Sequence, residues 1–482
     1  MIGGPVHILR SMLNIHPKFA PSLDPAFCPA ALWNRAFRKL IARDVSRRAF
    51  GIALVHQNGT VYRHVSELLS ANHPVAALNE RYAERLLKFL LWQKGGARIL
   101  IGGADDVAAA VARTYAPEGE RAFDCAFMGA KVYREPFTVE RVRFDELPAA
   151  VERSVSLGRK LDGCRIGFDL GGSDRKVAAL IDGRVVHSEE TRWDPYFQKD
   201  PAYHLEGIHD SLTRAAAHLP RVDAIGGSAA GVYVNNEVRV ASLFRGVPED
   251  RFDGEVRRIF FALQKRWGGV PFEVANDGEV TALAGSMALG EGGVLGISMG
   301  TSQAGGYVLP SGEITSWLNE LAFAPVDYDP GAPRDEWSGD VGCGVQYFSQ
   351  QGVARLATCA GLPFPATMPP ADQLVAVQAG LAQGDPRARA VYESIGRCFG
   401  YSVAHYADFY ELRHVLVLGR VTSGEGGAII LQEADRVLRA EFPVIAERTR
   451  LSMPDEQSKR HGQAIAAASL PALSQPIVQH LF

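Results

Sequence analysis

Three short stretches hold residues whose types and spacing could do chemistry. The first is Asp169, near the end of the apolar run IGFDL, followed by Gly171, Gly172 and Ser173. Two adjacent glycines remove side chains where a backbone must approach something closely. Their amides and the Ser173 hydroxyl can donate to phosphate oxygens, and a carboxylate such as Asp169 can hold a hydrated magnesium ion beside them. The second stretch is the triplet Asn276-Asp277-Gly278, between the strand-like FEVA and a segment rich in small residues. The third is Gly300-Thr301-Ser302, a small polar turn with Gly305-Gly306 soon after it. Each is also what an ordinary tight turn looks like. Their order along the chain carries more than any one of them.

The elements that must position these residues read as α/β. Arg165–Ser188 is strand, Gly-Gly-Ser turn, strand, then an Asp182-Gly183 turn into a third strand. Asp-Gly between β-formers is a strong hairpin signal. A helix follows over His204–His218, then a strand RVDAIGG and a small-residue loop Gly226–Gly231. Val232–Ala241 reads as a strand pair and Asp253–Trp267 as a helix. Gly293–Leu309 repeats the strand, glycine turn, strand pattern about 130 residues after the first copy. Such an echo is expected of a duplicated lobe. Near the C-terminus, the strand HVLVLG runs into the loop RVTSGEGG and then a helix.

Upstream, FGIALVHQNGTVYRHV is a hairpin around Asn58-Gly59. Asn79–Gln93 is expected to be an amphipathic helix, ARILIGG a short buried strand and Asp105–Tyr115 a further helix. Residues 1–150 are thus an N-terminal α/β domain, expected to be separate and to bind no nucleotide. Residues 160–285 and 286–482 make the first and second lobes.

With 482 residues the chain is too long for one core. Apolar residues make 47% of it, charged ones 22%, and the net charge is -3, so nothing draws it globally to nucleic acid or anionic membrane. Residues 1–50 hold eight Lys/Arg against two Asp/Glu. A basic DNA-binding arm is one reading; no helix-turn-helix pattern follows, so a solvated helix face is the expectation. Neither a signal peptide nor a membrane span is read. The six cysteines are scattered with no C-x-x-C pair, which fits a reducing cytoplasm. Gly296-Ile297-Ser298-Met299-Gly300 matches G-x-S-x-G, but that elbow needs a helix after the serine, and here a turn and strand follow.

Taken together, the motifs resemble the nucleotide-binding core of the actin, Hsp70 and sugar-kinase superfamily. Within it they are most similar to the ROK family (repressors, open reading frames, kinases). IGFDLGGSDRKVAALID resembles that family's first phosphate motif and VANDGEVTALAG its motif with the catalytic aspartate. LGISMGTSQAGGYV resembles the second phosphate motif and VLVLGRVTSGEGG the adenosine motif. The resemblance spans about residues 160–470. It implies two ribonuclease-H-like, actin-type lobes around a nucleotide cleft, ATP with Mg2+, and a sugar or polyol as partner. It implies Asp277 as the general base, Asn276, Glu320 and Gly231 on the substrate side, and Asp169 as the metal anchor. Gly171, Gly172, Ser173, Gly300, Thr301 and Ser302 would hold phosphates, and Gly419, Gly426 and Gly427 would border the adenosine. A homodimer is left open.

Relatives commonly carry Gly-Glu-x-Gly-His and then a Cys-x-Cys-Gly-x-x-Gly-Cys zinc site. Here the text is Asn319-Glu320-Leu321-Ala322-Phe323, then EWSGDVGCGVQYFS. Glu320 survives, Phe323 stands at the histidine position and Cys343 alone remains of the cysteines. One thiolate cannot make a tetrahedral zinc site, so no zinc is expected. Asp174 replaces the family's lysine after the first glycine pair. The reading is an ATP-dependent kinase of a sugar-like hydroxyl compound. The alternative is a non-catalytic sensor or regulator on the same fold.

Overall fold

Every strand-turn-strand stretch read from the sequence folds as one in the computed structural model, which describes residues 13–153, 156–365, 367–454 and 456–473. The start of the chain, read above for a leader, lies in part outside them. In chain order the first elements are α1 (Ala30–Ile41), β1 (Arg48–Val55), β2 (Val61–Leu68), α2 (Leu78–Lys94), β3 (Arg98–Gly102), α3 (Asp105–Thr114) and β4 (Thr138–Val142). Next come β5 (Cys164–Leu170), β6 (Asp174–Ile181), β7 (Arg184–Arg192), α4 (Pro201–Ala216), β8 (Ala224–Ala229), β9 (Val232–Val234) and β10 (Glu237–Val240). Then α5 (Ile259–Arg266), β11 (Phe272–Asn276), α6 (Asp277–Leu289), β12 (Val294–Met299) and β13 (Gln303–Val308) follow. The chain closes with α7 (Gln350–Cys359), α8 (Pro370–Ala382), α9 (Pro386–Tyr406), β14 (His414–Leu418), α10 (Glu425–Glu441), β15 (Arg450–Ser452) and α11 (Glu456–Ala468).

Two compact units result. One comprises the described residues within Met1–Ser154, Ile297–Gly305 and Trp317–Met453. The other comprises those within Val155–Gly296, Gly306–Ser316 and Pro454–Phe482. These bounds differ from the division at 150, 160 and 285 drawn above. The N-terminal α/β segment shares a unit with 317–453, and α11 packs in the unit that holds β5.

The second unit is built on a five-stranded sheet of order β11-β8-β5-β6-β7. β5, β8 and β11 run parallel, while β6 and β7 return antiparallel. Asp182 and Gly183 both take positive φ, 46° and 78°, the geometry a two-residue hairpin turn demands. One core joins Ile166, Phe168, Val177, Ile225 and Phe272 of the sheet to Ile208, Leu212 and Leu263 of α4 and α5. Ala178 and Leu180 meet Ala464 and Ala468 of α11. Gly226 has to be glycine, because a Cβ there would run into the Ala467 carbonyl. So most of the stretch read as a loop, Gly226–Ala229, is strand, and its glycines admit a helix.

Two further sheets have the strand orders β2-β1-β3-β4 and β13-β12-β14-β15, and their edge strands β4 and β15 were not read from the sequence. In the former, Val55 pairs with Val61 across the Asn58-Gly59 turn. The segment read as the helix Asp253–Trp267 is a π turn, Phe252–Val256, followed by α5. Among the described residues no helix is long and apolar enough to cross a membrane. Three arginines of the basic stretch are paired: Arg38 with Asp408, Arg47 with Glu67 and Arg48 with Asp106.

Helix α2 departs most from expectation. It is not amphipathic. Fourteen of its seventeen residues are buried, including Glu84, Arg85, Lys88 and Gln93.

Candidate active site

Strand register brings the carboxylates together in the second unit. In the parallel β5–β8 pair Asp169 stands opposite Ser228, and in β8–β11 Asn276 stands opposite Ala229. The C-terminal ends of three parallel strands therefore carry Asp169, Ser228, Gly231, Asn276 and Asp277. That end of a parallel sheet is where open α/β folds place ligands.

Asp169 is buried, and its Oδ1 accepts the Ser228 hydroxyl at 2.7 Å. Burial pushes its carboxyl pKa up, against the pull of that hydrogen bond and of the Lys176 charge. The carboxylate is thus short of positive charge, a deficit that a divalent cation would fill. Asp277 opens α6 and is half-buried. Burial, and then the Asp169 charge, push its pKa up to about 6, while the Gly278 amide donating to Oδ1 at 2.9 Å pulls the other way. Asn276 caps the same helix: its Oδ1 accepts from the Gly278 amide at 2.7 Å. Its Nδ2 donates to the Gly231 carbonyl at 2.7 Å, leaving one amide hydrogen for a ligand.

The β5–β6 turn lies at the same sheet end. The Gly171 amide closes the turn on the Asp174 carbonyl at 2.9 Å, and the Ser173 hydroxyl donates to Asp174 at 2.8 Å. Two of the donors read for phosphate thus have partners within the turn. Gly172 has a second reason to be glycine, since a Cβ would strike the Tyr196 hydroxyl.

In the first unit the Gly300 amide closes its turn on the Ser302 carbonyl at 2.9 Å, and the Gly300 carbonyl accepts from Gln350 at the start of α7 at 2.9 Å. Thr301 and Ser302 are exposed. Gly419, with φ 105°, lets the end of β14 lie against the backbone of Met299 at the end of β12. Gly426 and Gly427 are not in a loop. They sit buried in the first turn of α10, where Tyr392 and Met453 occupy the space side chains would need. Glu320 stands on a separate segment and its amide donates to the Trp92 carbonyl at 2.9 Å.

Two neighbours escaped the sequence reading. Ser228 sat in a run of small residues, and only strand register identifies it. The Tyr233 phenol is pushed up by burial and by the Asp277 charge, and it donates to the Ala230 carbonyl at 3.1 Å. An aromatic on a short strand gave no sign that it would face the aspartate.

At the stretch compared above with the zinc motif, the one cysteine is buried. Burial pushes the Cys343 thiol up to about 12, so it is protonated at neutral pH. Asp340, with a carboxylate oxygen 3.9 Å from the Cys343 sulfur, already meets Arg85, Lys88 and Arg121. Among the described residues no group of three or more His, Cys, Asp or Glu is arranged to hold a metal.

Neither a protein-family profile nor a curated protein matches the sequence. Solved structures do match in fold. A ROK hexokinase from Thermus thermophilus superposes on 64% of this chain and 98% of its own, at TM-score 0.50 and 22% identity. A ROK-family transcriptional regulator, a homologue of the E. coli MLC protein, matches over 64% of this chain and 79% of its own, at TM-score 0.49 and 20% identity. A ROK-family glucokinase from Streptomyces griseus, solved with glucose and AMPPNP, matches over 64% and 98%, at TM-score 0.45 and 20% identity. At such identities the likeness is one of fold, and over 64% of its length this chain has the actin-type fold of the ROK sugar kinases.

Proposed function

We propose that the protein transfers a phosphoryl group from ATP to a hydroxyl of a sugar or polyol. The observation that carries this reading is Asp277: a half-buried carboxylate at a rigid strand-to-helix junction, with its pKa raised to about 6. A hydroxyl is a poor nucleophile until its proton has somewhere to go, and a base poised near the working pH accepts it. In the proposed step the proton passes to the Asp277 carboxylate. The hydroxyl oxygen forms its bond to the γ-phosphorus as the bond to the ADP oxygen breaks. Phosphoryl transfer asks mainly for positioning and charge stabilisation.

Asp277 stays ionised above about pH 6, so it is competent as a base at neutral pH. Asn276, locked as a helix cap, offers its remaining amide hydrogen to the sugar, with Gly231 beside it and Glu320 as a further sugar ligand. Asp169 would hold Mg2+, which neutralises phosphate charge when bound with ATP. The turns at Gly171–Ser173 and Gly300–Ser302 offer amides and hydroxyls to the phosphates. Gly419, Gly426 and Gly427 would border the adenosine.

The test is ADP release from ATP and Mg2+ across a panel of hexoses, N-acetylhexosamines and polyols. At least one acceptor should raise ADP release well above the sugar-free rate. Saturable binding of nucleotide and sugar with no turnover on any acceptor would replace the kinase with a sensor or regulator.

A further inference from the structure

The segment that carries Glu320 is not a free loop. The Asn319 and Glu320 amides donate to the carbonyls of Gln93 and Trp92, at 3.0 and 2.9 Å. These carbonyls belong to the last turn of α2, whose acceptors have no partner inside the helix. Asn319 holds a left-handed backbone, φ 50°, and its Oδ1 accepts the Tyr410 hydroxyl at 2.8 Å. Behind Glu320 the Phe323 ring lies on the Trp92 indole, with centroids 4.4 Å apart. The indole is held in turn, because its Nε1 donates to Asp124 at 2.6 Å. Asp124 also takes Lys88 Nζ at 2.9 Å, and the same ammonium reaches Asp340 at 3.2 Å. Arg85 and Arg121 close on Asp340 from 3.1 and 2.8 Å, and both pair with Glu84. Cys343, three residues after Asp340, pairs backbone to backbone with Pro325.

Three cations and three carboxylates are thus sealed together beside Trp92, and the Glu320 segment is fastened to the end of α2 that carries this indole. Detaching the segment from α2 would strip the Trp92 and Gln93 carbonyls of their donors and uncover the Trp92 ring. Substrate segments are commonly mobile loops, whereas this one has a rigid backing of the kind that holds site geometry.

We propose that α2, acting through Lys88, Asp124 and Trp92, is the positioning element of the Glu320 segment, so that the N-terminal region is an integral part of the substrate site. The proposal rests on the reading of Glu320 as a sugar ligand. Lys88→Met would leave Asp124 and Asp340 short of charge and threatens folding. The working variant is therefore Trp92→Phe, which keeps a ring against Phe323 and deletes the hydrogen bond to Asp124. Two measurements apply to the full chain. The first is amide hydrogen exchange at Asn319 and Glu320 without any sugar. The second is KM and kcat with the first sugar of the panel to release ADP.

Trp92→Phe should speed exchange at both amides, and raise the sugar KM on the order of tenfold, with the ATP KM unchanged. Glu320→Gln serves as the control. If Glu320→Gln raises the sugar KM while Trp92→Phe leaves both exchange and KM as in the wild type, the positioning role is wrong and the site reading stands. If Glu320→Gln leaves the sugar KM unchanged, Glu320 is no sugar ligand, and both the reading and the proposal fall.

Discussion

Two groups of sequestered carboxylates in this molecule respond to burial in opposite ways. Around α2, Glu84, Asp124 and Asp340 meet Arg85, Lys88 and Arg121, one cation for each carboxylate. Burial alone would raise the Glu84 pKa, but the charges of Arg85 and Arg121 outweigh it and pull the group down to about 2. Asp340 is likewise desolvated, and Arg85, Lys88 and Arg121 hold it below the ordinary range. At the ends of β5 and β11 no ion pair matches the carboxylates among the described residues, and the Lys176 charge only partly offsets the burial of Asp169. Asp169 is pushed up by burial, and Asp277 by burial and by Asp169. A matched set of charges is a structural device, since it holds pieces of chain together. An unmatched pair is strained at neutral pH, and that strain suits it to taking a proton or a metal. The same residue type thus serves two ends, and the count of neighbouring cations decides which.

The largest test of this contrast is on turnover. Asp277→Asn keeps size and hydrogen bonding but cannot accept a proton. Turnover should fall by a factor on the order of 10²–10⁴ while ATP affinity stays nearly unchanged. Asp169→Asn should act through Mg-ATP affinity instead. Steady-state rates and nucleotide titrations on both variants separate the two roles. Wild-type turnover from Asp277→Asn would reduce Asp277 to a helix-opening residue and dissolve the contrast.

Next comes stability at the matched set. Removing one partner from a buried ion pair costs about 3–5 kcal/mol, so Glu84→Gln should unfold at markedly lower denaturant at pH 7. The sign with pH follows from the depressed pKa. The stabilisation from Glu84 is complete above its unfolded value of 4.5 and is lost as the pH falls toward about 2. Wild type and Glu84→Gln should therefore converge on acidification. A constant gap from pH 7 to pH 3 would mean packing, not charge, sets the loss.

The smallest effect has the opposite sign. Asp277 binds its proton at about 6 in the folded chain and at 3.8 when unfolded. Folding therefore loses stability as the pH rises through this window, and the ionised carboxylate is a cost at pH 7. Without nucleotide or magnesium, Asp277→Asn should melt above the wild type at pH 7.5, by on the order of 1 kcal/mol given the solvent that reaches this half-buried group. The gap should close toward pH 4. A destabilised Asp277→Asn at pH 7.5 would show that Asp277 is a paired, structural carboxylate like those around α2.

Much of the fold around the candidate site was legible because its parts are local. Asp182-Gly183 and Asn58-Gly59 announce turns through their own backbone preferences, and Asp277 sits where an apolar strand yields to a helix. Helix α2 shows the other side. Its spacing reads as one buried stripe with charged flanks, since Glu84, Arg85 and Lys88 belong on a solvated face until a partner surface covers them. The same applies to Gly426 and Gly427, which look like a loop until Tyr392 and Met453 are seen to need the room.

By itself the sequence determined the strands, their turns and the positions of Asp169, Asp277 and the glycine hairpins, because each depends on residues a few places apart. Only the tertiary structure decided that Ser228 stands beside Asp169, that α11 returns to the β5 sheet, and that Asp340 closes on Arg85 and Lys88. Those outcomes are settled by strand register and by the pairing of charges some 250 residues apart, as Arg85 and Asp340 are. No local preference records which distant carboxylate will neutralise a buried cation. The choice is made when both lose their water together.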